Sequence, residues 1–85
     1  MIECHRTLEQ ARRDCQAGRL TGAVLLRVPM SRAEWTIRLF GAKGDTGMLR
    51  AVPSLETWVF TSLDSAVDVL EQIGLSPTQL KVQAT

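Results

Sequence analysis

The sequence is poor in the side chains from which active sites and large cores are usually built. It contains no tyrosine, two tryptophans, two phenylalanines, two cysteines and one histidine. Aliphatic side chains must therefore form most of the core. A chain of 85 residues is also near the small end of what folds without disulfides or metals, because it buries only about 60% of the surface that its unfolded form exposes. We predict one small α+β domain over residues 1–85.

Long apolar runs and a strong net charge are also lacking. No segment approaches the roughly 20 apolar residues of a membrane helix, and residues 1–13 carry charges where a signal peptide needs an apolar core. We therefore expect a cytoplasmic protein with no membrane contact. The formal net charge of +1 neither requires nor excludes a polyanionic partner. Residues 22–60 are mildly basic, whereas Asp64, Asp68 and Glu71 make the last third acidic.

The few reactive side chains do not form a recognisable catalytic or metal-binding pattern. His5 is the only histidine, so any Ser-His or Cys-His catalysis would depend on it alone. Cys4 and Cys15 lie about 16 Å apart if they share a helix, too far for a disulfide, and with His5 they lack the spacing of zinc ligands. The glycine-rich residues 41–47 lack the GK[ST] ending of a phosphate loop. We expect no enzymatic activity, cofactor, metal or small-molecule substrate.

The clearest predicted element is a helix over residues 61–74. Thr61 is the predicted N-cap, with Asp64 three residues later, and Gly74 is the predicted end. The apolar side chains recur at helical spacing and should cover a sheet. They are Leu63, Ala66, Val67, Leu70 and Ile73.

A second helix is predicted over residues 2–17, ended by Gly18 and carrying a thin apolar stripe. The stripe consists of Cys4, Leu8, Ala11 and Cys15. Because it offers little apolar area, this helix is expected to dock loosely or against a second copy of the chain, which makes a homodimer an expectation.

Between the helices the pattern predicts an antiparallel sheet of three or four strands. The candidate segments are residues 23–28, 34–40, 48–52 and 55–60. Because Pro53 interrupts the last two, they form either two strands or one long bent strand. A short final strand with Leu80 and Val82 is predicted after the helix over residues 61–74.

The sheet surface opposite the covering helix is the remaining functional candidate. If Trp35, Ile37 and Leu39 pack beneath the helix, the side chains between them point the other way. A three-stranded sheet with arginines can lie in the major groove of DNA. Two alternatives are that the arginines only solubilise an exposed face, and that an apolar strip binds a protein partner. The candidate contact residues are Arg27, Arg38, Phe40, Lys43, Arg50, Trp58 and Phe60, and the strip is Phe40, Trp58 and Phe60.

Two resemblances to known families add to these patterns. The order EWTIRLF, loop, WVFTSLDSAVDVL over residues 34–74 is similar to the three-strand-plus-helix pattern of integrase arm-binding and AP2-type DNA-binding domains, which implies DNA binding. The segments GRLTGAVLL and WVFTSLDSAVDVLEQIGL resemble the small ParC-type accessory proteins encoded beside partition genes on plasmids and integrated elements of proteobacteria. The most recognisable part is the rhythm FxSLDxAxxxLxxIG at residues 60–74.

The second resemblance implies a bacterial cytoplasmic accessory of plasmid maintenance without catalysis. We therefore expect a non-enzymatic accessory of plasmid or mobile-element maintenance that binds DNA or a partition protein. The alternative is a protein-interaction module or dimeric adaptor that binds no nucleic acid.

Overall fold

The computed structural model describes residues 5–30, 34–52, 54–75 and 80–83, which form a mixed sheet with two helices. In chain order the elements are β1 (Arg6–Thr7), α1 (Leu8–Gln16), β2 (Leu20–Arg27), β3 (Trp35–Gly41), β4 (Thr46–Arg50), α2 (Leu63–Ile73) and β5 (Leu80–Gln83). The strands lie side by side in the order β1-β4-β3-β2-β5. The predicted α+β class is confirmed.

The prediction of a wholly antiparallel sheet is wrong, because β1 and β5 run parallel to their neighbours. β3 pairs antiparallel with β2 and with β4. This is possible because consecutive antiparallel strands can be joined by short loops. β5 instead pairs parallel with β2, and β1 pairs parallel with β4. Parallel pairing needs a crossover connection, and the connection between β4 and β5 contains α2.

The first helix is shorter than the predicted residues 2–17. α1 begins at Leu8, and the two residues before it form β1. Thr7 is the N-cap: its hydroxyl accepts the Gln10 N–H at 3.4 Å, and the Gln10 side chain accepts the Thr7 N–H at 3.0 Å. This reciprocal capping box fixes the change from strand to helix. The predicted position of Cys4 on the helix lies outside the described residues.

The second helix nearly matches its prediction, with the start shifted by the cap. Ser62, not Thr61, is the N-cap, because its hydroxyl accepts the Ser65 N–H at 3.1 Å. Gly74 ends the helix with a φ of 108°, a left-handed conformation that favours glycine. The buried side chains are Ala66, Val69, Leu70 and Ile73, while Leu63 and Val67 pack partly buried against the core.

The segment after β4 forms neither a second strand nor a continuation of one bent strand. β4 ends at Arg50, and the predicted strand over residues 55–60 is replaced by two isolated bridges, Arg50 with Thr57 and Trp35 with Phe60. A turn separates the end of β4 from Thr57, and in this turn Leu55 donates its N–H to the Ala51 carbonyl at 2.8 Å. The chain returns beside the start of β3 without forming a regular ladder.

Both helices pack on the same face of the sheet. The predicted alternation in β3 is confirmed, since Trp35, Ile37 and Leu39 are 9%, 0% and 0% exposed. Their neighbours on β2, Ala23 and Leu25, share this core with side chains from α1 and α2. The core therefore lies between one sheet face and one helix layer.

Candidate binding face

The opposite sheet face carries no helix in the part of the chain that the structure describes. Residues directly opposite each other in neighbouring strands project to the same side of a sheet. Val24 lies opposite Arg38, and Arg38 lies opposite Met48. We call this surface the open face; within β2, β3 and β4 it comprises Gly22, Val24, Leu26, Thr36, Arg38, Phe40, Thr46, Met48 and Arg50.

Arg38 lies at the centre of the open face. Its guanidinium donates a hydrogen bond to the Thr46 hydroxyl at 3.3 Å, which orients the side chain along the sheet toward β4. Val24 and Met48 flank it on the two neighbouring strands. Phe40 follows two residues later on the same face and is 37% exposed. The centre of the face thus combines one cation with half-buried apolar side chains.

Arg50 extends the positive charge to the end of β4. It is half-buried, pairs with Thr7 of β1, and bridges to Thr57 on its other side. The described residues place no carboxylate within ion-pair distance of its guanidinium. Its charge is therefore available to a ligand at this edge of the sheet.

The sheet strands β2, β3 and β4 differ in charge from α2, while α1 carries charges of both signs. β2, β3 and β4 together contain three arginines and no aspartate or glutamate. α2 contains three carboxylates, on Asp64, Asp68 and Glu71, and no lysine or arginine. All three acidic residues are exposed on the side of the molecule away from the sheet. Of the three arginines, Arg38 and Arg50 lie on the open face, so an anionic partner would be attracted to that face and repelled from the outer surface of α2.

Three predicted contact residues do not lie on the open face. Arg27 is opposite Trp35, and its guanidinium carbon lies 5.6 Å from the centre of that buried ring, on the helix side of the sheet. Phe60 is only 4% exposed, and Trp58 stacks on it with ring centres 4.8 Å apart. Phe40 is on the opposite face. The predicted strip of Phe40, Trp58 and Phe60 therefore does not form one surface.

The hairpin that contains Lys43 is anchored to the rest of the fold. Lys43 itself is exposed. Asp45, two residues on, is bonded to Arg6 at 2.5 Å, and Arg6 also bonds Asp14 of α1 at 2.6 Å. The hydrogen bond from Arg6, helped by its positive charge, lowers the pKa of the Asp45 carboxyl against the opposing effect of burial. The hairpin loop is therefore tied to both β1 and α1.

The Asp45 carboxylate lies against the backbone of Gly41, in the space that a side chain there would occupy. A Cβ at position 41 would overlap that carboxylate, so glycine is required for the close approach. Sequence reasoning missed the role of Arg6, which is 4% exposed. No local spacing links it to Asp45, because the pair is separated by 39 residues.

The remaining reactive side chains have structural contacts. His5 accepts the Met48 N–H through Nδ1 at 3.0 Å and so extends the contact between the start of the described chain and β4. Cys15 is a half-buried free thiol that packs against the core. Within the described ranges, no three His, Cys, Asp or Glu side chains gather closely enough to hold a metal ion.

These features define a two-layer α+β domain with two helices on one side of a mixed sheet and a cationic, partly apolar open face on the other. Neither α1 nor α2, the helices within the described residues, is long and apolar enough to cross a membrane. Comparisons of the chain with protein-family models, with curated proteins and with solved structures find no match.

Proposed function

We propose that this protein is a non-enzymatic accessory of plasmid or mobile-element maintenance, and that it acts by binding DNA through the open face. The resemblance of residues 60–74 to ParC-type accessory proteins supports the biological setting. The division of charge between the sheet and α2 carries the proposal for the partner.

The side chains of the open face support a contact with duplex DNA. The major groove admits a small sheet or a β-ribbon. Arg38 at the centre and Arg50 at the edge can each pair with a phosphate or with guanine, because their planar guanidinium groups present paired donors. Lys43 in the neighbouring hairpin adds a third cation that is suited to the DNA backbone. With only two or three such contacts, binding should be weak and mainly electrostatic.

A salt series on a fluorescent DNA duplex tests this proposal by anisotropy. With about three phosphate contacts, the slope of log K against log salt should be about −2.7, so that affinity falls roughly 40-fold between 50 and 200 mM salt. The double variant R38Q/R50Q should reduce the slope by about 1.8 and weaken binding at low salt. No binding at low salt would refute the DNA proposal.

A matched control separates a specific contact from a general loss of charge. The variant R13Q/R19Q also removes two positive charges, but from α1 and the turn that follows it, on the helix side of the molecule. Arg13 and Arg19 are well exposed, so the substitutions should not disturb the core. Equal loss of binding in the two double variants would show that net charge matters and that the open face does not.

The second candidate is a partition protein, or another protein, bound on the same face. Val24, Leu26, Phe40 and Met48 favour it, because apolar side chains form the centre of most protein interfaces. Under this alternative, Phe40→Ser should abolish capture of the partner while R38Q/R50Q has a smaller effect. A homodimer stays a prediction as well: Leu8, Ala11 and Cys15 pack within the chain's own core, so the dimer would have to use another surface. Sedimentation showing a monomer at high micromolar concentration would contradict it.

A further inference from the structure

A cleft of about 550 Å³ lies at the edge of the sheet where β1 and β4 separate. Among the described residues β1 pairs with β4 at Arg6 and Thr7, and the pairing ends there because Thr7 caps α1 and the chain turns away into the helix at Leu8. β4 leads on into Ala51 and Val52. The first turn of α1 and this continuation form the two walls, and Trp58 lines the space between them.

The apolar part of the cleft comes from three side chains. Leu8 and Trp58 are partly buried against the core, and Val52 is 69% exposed. An apolar group entering between them would cover Val52 and the accessible part of Trp58, and would leave water for a surface that is already partly desolvated.

The charged part of the cleft is cationic. Arg12 of α1 and Arg50 of β4 line it from different elements. Neither guanidinium has a carboxylate within ion-pair distance among the residues that the structure describes. Glu9 also lines the cleft, but it is bonded to Arg13 at 2.9 Å, so its charge is already offset. Two arginines that have no carboxylate partner among the described residues thus line an apolar depression.

We propose that this cleft binds an acidic peptide segment of a protein partner, with one apolar side chain held by Leu8, Val52 and Trp58 and adjacent carboxylates paired with Arg12 and Arg50. Paired carboxylate recognition is a task for which arginine is suited. A nucleic-acid strand fits less well, because its row of phosphates carries no aliphatic side chain for the apolar part of the cleft. The proposal does not rest on DNA binding by the open face, since Arg12 lies on the helix side of the sheet.

The test uses a probe peptide, acetyl-Asp-Asp-Leu-Asp-Asp-amide, and the two tryptophan indole N–H signals of the ¹⁵N-labelled protein. The Trp58 signal should shift during the titration, while the signal of Trp35, which is 9% exposed, should stay in place. Two matched peptides separate the contributions: replacement of all Asp by Asn removes the charges, and replacement of Leu by Ser removes the anchor. Each should weaken binding about tenfold or more.

Protein variants assign the site. Arg12→Glu and Val52→Asp each put a negative charge into the cleft at an exposed position, so both should fold normally, as checked by circular dichroism, and weaken binding about tenfold or more. Arg19→Glu is the control, because Arg19 is 74% exposed beyond the far end of α1 and should leave affinity unchanged.

Three outcomes would overturn the proposal. The first is an unshifted Trp58 signal at about 5 mM peptide, since affinities weaker than this give no specific recognition. The second is equal binding of the Asp and Asn peptides. The third is tighter, Arg12-dependent binding of a six-nucleotide oligothymidine than of the acidic peptide, which would make the cleft a nucleic-acid site. Failure of the DNA salt series on the open face would leave these results unaffected.

Discussion

Ile37→Thr is a direct test of which sheet face is the core. Ile37 is fully buried in β3, opposite Leu25. Threonine keeps the β-branch that suits a strand, but it lacks the Cδ1 methyl group and has a hydroxyl in place of the Cγ1 methylene, so two buried carbons worth about 0.8 kcal/mol each are lost. It also buries a hydroxyl, which costs about 1–3 kcal/mol unless the hydroxyl finds a partner. We expect a total loss of about 3–4 kcal/mol.

This loss is large relative to the whole stability of the domain. At about 0.05–0.15 kcal/mol per residue, a chain of 85 residues has roughly 4–13 kcal/mol. The thermal midpoint should fall by roughly 12–30 °C, at about 4–8 °C for each kcal/mol. Urea unfolding followed by tryptophan fluorescence and circular dichroism should show a lower midpoint and an unchanged slope.

Val24→Thr is the matched control on the open face. Val24 is half-buried, and the new hydroxyl can remain in contact with water. It keeps the β-branch and the volume, so the cost should be below about 1 kcal/mol. If Val24→Thr destabilised the protein as much as Ile37→Thr, or if Ile37→Thr were nearly neutral, the assignment of core and open faces would be refuted.

Three further predictions concern the loop anchor and the helix cap. Gly41→Ala should destabilise the fold by about 1–3 kcal/mol, because the new methyl group displaces Asp45 from Arg6; an unchanged urea midpoint would contradict it. The pKa of Asp45 is lowered in the folded state, so this carboxylate stabilises the fold above its unfolded pKa of about 3.9, and the stabilisation is lost as pH falls through the folded pKa. Asp45→Asn should therefore reduce the pH dependence of the thermal midpoint below about pH 4. An identical pH profile for the variant and the parent would show that the Arg6 contact contributes nothing. Ser62→Ala should cost about 1 kcal/mol and Thr61→Ala less than about 0.5, and the reverse order would restore Thr61 as the cap.

Local patterns in the sequence predict the helices and the central strands well. The alternation in β3 identifies Trp35, Ile37 and Leu39 as core because it depends only on the period of a strand. The apolar stripe and glycine end of α2 are local in the same sense. Only the cap was misplaced, since Thr61 and Ser62 are both suitable N-cap residues and the choice depends on where the chain leaves its bridge to β3.

Long-range contacts explain what the sequence did not predict. Arg6 was assigned to a helix because its neighbours continue the helical pattern, yet it lies in β1 and bonds a carboxylate 39 residues away. The parallel pairing of β5 depends on the path of the chain over the helix layer, which no short window contains. Phe60 looked like a surface residue by alternation with Val59, but its bridge to Trp35 turns it into the core.

Local patterns also predict part of the candidate site, and long-range contacts determine the rest. Alternation alone places Arg38 and Phe40 on the face away from the helices. It did not place Arg27, because residues 23–28 are a nearly continuous apolar run without alternation; the structure places its guanidinium over Trp35 on the helix side. Nor did the sequence predict the cleft beside Leu8, because that cleft exists only where a two-residue strand turns into a capped helix.

Side-chain methyl NMR during titration with duplex DNA at low salt shows directly whether the open face binds the ligand. Amides in a sheet report on both faces, whereas methyl groups lie on one. If DNA binds the open face, the methyl signals of Val24, Leu26 and Met48 should shift progressively, while those of Ile37 and Leu39 remain in place. Shifts confined to methyl groups of α1 and α2, or no shifts on the open face at any DNA concentration, would show that DNA does not bind there.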